Sequence, residues 1–146
     1  MLSFQQLVLR KFLLLIVTLF LFIGGITYFW MQDFYISQAK ESLKQDVEII
    51  TFEIDRNTNL DILAKKIKDK LNTRITVIDI DGEIIAESHE DKSTMDNHKY
   101  RPEIMQANKE DYGYKIRYSH TVKENMLYIA KKYTYDGKTL YIRLAK

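Results

Sequence analysis

The 146-residue sequence contains no cysteine, one proline, five glycines and three histidines. Without cysteine there is no disulfide, no thiol nucleophile and no iron–sulfur ligand set, so any part folded outside the cell relies on its apolar core. So little proline and glycine leaves no room for low-complexity linkers, and no internal repeat is present. The five scattered glycines form no phosphate-cradling loop, which excludes a nucleotide-dependent phosphotransfer by this chain. The most consequential absence is of charge: none of the 20 residues from Phe12 to Met31, FLLLIVTLFLFIGGITYFWM, is Asp, Glu, Lys, Arg or His.

A helix of that length rises about 30 Å, the thickness of a bilayer's hydrocarbon core. Thirteen of its residues are Leu, Ile, Val or Phe, which together favour insertion by roughly 4 to 8 kcal/mol. A cleaved secretory signal would have a shorter apolar core followed by small residues, and here the first alanine is Ala39. The expectation is an uncleaved membrane anchor over residues 12–31. Arg10 and Lys11 precede it, which keeps residues 1–11 in the cytoplasm and places residues 32–146 outside a bacterial cytoplasmic membrane. Tyr28, Phe29 and Trp30 fall at the outer interface. The formal net charge of +2 comes from Arg10 and Lys11 alone, so the exterior part balances 20 basic against 20 acidic residues. Such neutrality argues against a nucleic-acid partner. An exterior part of this size is one domain.

From Gln32 to about Asp55, Ile36, Ala39, Leu43, Val47, Ile50 and Ile54 recur at helical spacing. Nothing breaks the helix after Met31, so the span is expected to run on into a long helix whose stripe packs on its own domain and forms a homodimer seam. Asn57, Thr58 and Asn59 form a cap cluster before a second helix that stops near Asn72. Residues 74–80 read as an interior strand, Asp81-Gly82 as a two-residue hairpin, and residues 83–88 as its return. An irregular segment over 89–112 ends in a short helix opening at Pro102. Strands follow over 113–122, 126–135 and 138–145, the last two joined by Asp136-Gly137. In the first of these Tyr114, Ile116 and Tyr118, and in the last Leu140, Ile142 and Leu144, are read as the core face, with the alternate residues on a polar face. The class is α+β with an antiparallel sheet.

The run RITVIDIDGEIIAESHEDKSTMDNHKYRPEIMQA, then IRYSHTVKENMLYIAKKY and DGKTLYIRLA, resembles the extracytoplasmic PAS-like sensor region of phosphate-regulon-type two-component sensor histidine kinases. The residues that carry it are Asp79 with Asp81-Gly82, Ser88 with Glu90-Asp91, Met95 with Asn97-His98, Arg101-Pro102-Glu103, Arg117-Tyr118-Ser119 and Met126-Leu127-Tyr128. The resemblance covers about residues 70–145. It implies a PAS- or Cache-like five-stranded antiparallel sheet, an input role in signal transduction and a kinase core that this chain lacks, since no second span or phosphoacceptor helix precedes Lys146; a fragment or a sensor-only remnant is expected. An input domain of this kind also fits a chemoreceptor or a cyclase, and a structural single-span protein is the third alternative.

Arg101, Arg117 and Ser119, with His120, are the candidate ligand-binding residues, because a guanidinium fork suits an anion. His89, Asp91 and His98, with Glu90 and Asp96, offer imidazole and carboxylate donors for a metal, but their spacing matches no ligand pattern, and no cofactor is expected. Ser119 and His120 are strand neighbours pointing to opposite faces, so no nucleophile–base dyad forms and no catalytic residue is assigned. Asn97-His98 and Arg101-Pro102 are expected to hold the irregular segment and its helix cap.

Overall fold

The structure, a computed structural model, describes residues 3–54, 58–120 and 122–146. Helix α1 (Phe4–Glu53) divides between two compact units, Met1–Gln38 and Ala39–Lys146. In the first unit the apolar side chains are exposed, Phe20, Phe22, Phe29 and Trp30 among them. One 18-residue window of α1 reaches a mean hydropathy of 2.5, so the helix is long and apolar enough to cross a membrane. Two threonine hydroxyls in its apolar stretch are satisfied within the helix: Thr18 donates to the Leu14 carbonyl and Thr27 to that of Ile23, each at 2.8 Å.

In the second unit the helical stripe does what its spacing implies and turns inward. Leu43, Val47, Ile50 and Ile54 are buried with Leu63, Ala64 and Ile67 of α2 (Leu60–Leu71) against one face of the sheet. Burying Leu43 and Val47 completely contributes roughly 1.5 to 3 kcal/mol each. Of the six stripe residues expected to form a dimer seam, Leu43, Val47, Ile50 and Ile54 pack in the domain's own core, Ala39 lies partly buried against it and Ile36 stays exposed. Helix α2 starts where Asn59 caps it, its Oδ1 accepting from the Asp61 and Ile62 amides at 3.1 Å, and it ends at Asn72, whose φ of 48° only a few residue types tolerate. Asn57 of the expected cap cluster, and Asp55 at the expected end of the long helix, lie outside the described residues.

Five antiparallel strands follow: β1 (Arg74–Asp79), β2 (Ile84–Glu87), β3 (Tyr112–Ser119), β4 (Glu124–Tyr135) and β5 (Lys138–Ala145), in the order β2-β1-β5-β4-β3. The loop between β1 and β2 corrects the two-residue hairpin expected there. Asp79 and Glu83 pair through Asp79 N to Glu83 O at 2.9 Å, leaving a three-residue loop in which only Gly82 has positive φ, 88°; the Asp79 carboxylate closes it by accepting from the Asp81 and Glu83 amides. Asp136-Gly137, with φ of 47° and 74°, is the two-residue turn expected.

The core-face assignments in two strands also need correction. In central β5, Tyr141 and Arg143 are as buried as Leu140, Ile142 and Leu144, because both faces of the sheet are covered. In edge strand β3 the apolar row Tyr114, Ile116 and Tyr118 stays 43–49% exposed, since α1 and α2 cover the central strands of that face. The polar row of β3 faces the other way, toward α3 (Pro102–Lys109). There Ile78, Ala130 and Tyr141 pack with Ile104 and Ala107 of α3 in a second, smaller core. That face also carries the arginines.

Candidate functional site

Three strands and the start of α3 send an arginine each to one region. Register sets this up: in β1 and β5, Val77 opposite Ile142 faces α1 and α2, so Thr76 and its partner Arg143 face the other way. Arg74 two residues before Thr76 and Arg117 on β3 share that side, and Arg101 enters from the N-cap of α3. These four arginines line a cavity of ≈ 200 Å³ together with His98, Ser119, His120 and Tyr128, and the segment over 89–98 also contributes Glu90, Thr94, Met95 and Asp96 to its lining.

Two buried carboxylates hold three of the four arginines, Arg74, Arg117 and Arg143. Glu87 takes Arg74 Nε at 3.0 Å on one oxygen and the Thr76 hydroxyl at 2.8 Å on the other. Glu103, wholly buried, accepts on a single oxygen from Arg117 at 3.3 Å and Arg143 at 3.4 Å. Arg143 also donates to Thr76 Oγ1 at 2.9 Å. The guanidinium carbon of Arg117 stands 4.0 Å, and that of Arg143 5.1 Å, from the centre of the Tyr128 ring, so the ring face offsets part of the local positive charge. Among the described residues Arg101 has no ion pair, and the buried Nε groups of Arg101, Arg117 and Arg143 have no hydrogen-bond partner.

His98 sits among these cations. Its amide donates to Gly82 O at 2.8 Å, and its carbonyl accepts from the Arg101 amide at 3.0 Å, so the turn between β1 and β2 fixes the chain that enters α3. Asn97 pins the same turn, donating to Asp81 O and Glu83 Oε1 at 2.9 Å. A side chain at Gly82 would collide with Asn97 and with the Lys99 backbone at 2.4 Å. The holding role expected of Asn97-His98 is therefore visible. Arg101 differs: it occupies the N-cap position but makes no side-chain capping bond, which leaves its guanidinium for the cavity. Burial, then the charges of Arg143, Arg101, Arg117 and Arg74, push the His98 imidazole down to about 3. Burial also lowers Arg143, to about 10, so it stays charged at neutral pH.

The four residues singled out from the sequence, Arg101, Arg117, Ser119 and His120, all line this cavity. Ser119 is buried, its Oγ accepting from the Val122 amide at 3.3 Å, while His120 is exposed and stacks edge-on with Tyr118. The candidate metal donors are not gathered. Nδ1 of His89 meets Ser88 Oγ at 2.7 Å, Asp91 caps the 3₁₀ turn Lys92–Thr94, and His98 lies among arginines; no group of three donors able to hold an ion occurs among the described residues. Sequence reasoning missed Arg74, Arg143, Glu87 and Glu103. The signal for Arg143 was present, an arginine inside the otherwise apolar run LYIRLA, but alternation assigned it to solvent.

What the arrangement can do follows from its donors. Several guanidinium groups, a hydroxyl and a neutral imidazole converge on a small space, and donors of that kind receive oxyanions. Residues 33–146 match the family model described as single Cache-like. No curated protein matches the chain.

Proposed function

This chain belongs to the single Cache-like family, whose domains are extracytoplasmic sensors typical of the input regions of signalling proteins, and from that premise we propose that it is the membrane-anchored input module of a bacterial two-component sensor histidine kinase, responding to a small anion of which phosphate is the first candidate. The observation that carries the ligand part is the cavity in which Arg74, Arg101, Arg117 and Arg143 converge. The kinase and phosphate parts rest on the resemblance over residues 70–145. In this reading α1 spans the membrane with its amino terminus in the cytoplasm, as Arg10 and Lys11 favour. The chain contributes input, and catalysis belongs to a separate output domain. An anion that prefers one of two arrangements of the second unit shifts their populations by its difference in affinity, and that difference is the signal.

Calorimetry on the full chain in lipid nanodiscs, titrated with inorganic phosphate, tests the ligand part. Millimolar or tighter binding is expected, weakened at least tenfold by Arg117→Gln; absence of heat up to tens of millimolar contradicts it. For the response, deleting the gene and starving the cells of phosphate should abolish induction of phosphate-uptake genes, and unchanged induction contradicts the phosphate assignment.

A further inference from the structure

The charges around the cavity do not cancel, and the remainder defines the ligand. Arg74 is neutralised by Glu87, to which its Nε donates at 3.0 Å with both side chains buried. Arg117 and Arg143 share one carboxylate, Glu103, at 3.3 and 3.4 Å. That leaves one positive charge between them. Arg101 has no ion pair among the described residues and adds a second. His98 is neutral at physiological pH. Glu90 and Asp96 also line the cavity, but from exposed positions where water screens their charges, so the excess is that of the buried and half-buried side chains. Two positive charges in excess, held by buried or half-buried guanidiniums, are costly without a counter-charge in the cavity. The space of ≈ 200 Å³ holds about six or seven waters, so the counter-charge must be compact.

We propose that the cavity takes a small dianion, two negative charges carried by one compact oxyanion or short dicarboxylate, in preference to a monoanion of the same size. This rests on the anion-binding reading above and narrows it. Arg101 is the residue that raises the excess from one to two, and Glu103 is the residue that keeps it from reaching three.

The test compares pairs of closely similar shape and unequal charge, titrated into the full chain in nanodiscs at constant ionic strength: sulfate against perchlorate, and succinate against its monoamide, succinamate. Sulfate does not titrate near neutral pH, so its charge is fixed throughout. At least one dianion should bind tenfold or more tighter than its monoanionic counterpart. Arg101→Gln, a half-buried site whose side chain caps nothing, should narrow that preference to a few-fold while the melting temperature stays close to wild type. Equal affinities within both pairs, or a preference that Arg101→Gln leaves intact, overturn the dianion assignment with anion binding still standing. No binding by any of the four anions overturns the anion reading itself.

Discussion

His98 shows how one residue reports the state of its surroundings. An unfolded histidine takes up a proton near pH 6.5, whereas the buried one, facing four arginines, does so only at about 3. Between those values falling pH protonates the unfolded chain alone, so stability is lost as pH drops from 6.5 toward 3 and is fully present above 6.5. His98→Gln removes that loss. Between pH 7 and pH 4.5 the melting temperature of the full chain should fall less in the variant than in wild type, by at least about 4 °C; parallel falls would mean that His98 is not held neutral by the fold. At this scale the sequence was partly legible. Arg101, Arg117, Ser119 and His120 could be picked because guanidinium, hydroxyl and imidazole side chains recur along one stretch. Glu87 and Glu103 could not, because a buried carboxylate is distinguished from a solvated one only by what folds over it.

Elements were legible where periodicity and local chemistry agreed. The stripe of α1, the Asn59 cap, the opening of α3 at Pro102 and the turn at Asp136-Gly137 all follow from rules acting over a few residues. The stripe's role in packing gives a direct contrast on one helix: Leu43→Ala should cost about 2 to 5 kcal/mol in a denaturant titration, whereas Phe52→Ala, at a position 93% exposed, should change stability by no more than about 0.5 kcal/mol. Strand β3 is where periodicity misled. Alternation fixed two faces correctly but could not say which one the rest of the chain would cover, and the polar face lies under α3. Gly113 makes that packing possible. A Cβ there would stand 1.8 Å from the Glu103 carbonyl oxygen and 2.8 Å from the Ala107 amide, so α3 would have to lift from β3 at the residue that positions Arg117 and Arg143. Gly113→Ala should destabilise the full chain by about 1 to 3 kcal/mol and weaken sulfate binding along with it. Wild-type stability and affinity would show that α3 can shift without disturbing the arginines.

For the whole molecule, the resemblance over residues 70–145 implied a sensor domain, and the family match over residues 33–146 shows one, with a helix long and apolar enough to cross a membrane at its amino-terminal side. The second unit then has one face of its sheet filled by hydrocarbon from α1 and α2, and the other divided between a small apolar core and an arginine-lined cavity. The first face supplies the stability that lets the second keep four guanidiniums close together, an arrangement that opposes folding unless counter-charges are present. Arg74 provides an internal reference, because its Nε is already committed to Glu87 while those of Arg101, Arg117 and Arg143 have no hydrogen-bond partner among the described residues. The most direct measurement is therefore the Nε–H resonances of the arginines, assigned by substitution in the full chain in nanodiscs and followed as sulfate is added. The account predicts saturable shifts at Arg101, Arg117 and Arg143 with a common dissociation constant and a much smaller change at Arg74. No saturable shift at those three, or one confined to arginines outside the cavity, would contradict it.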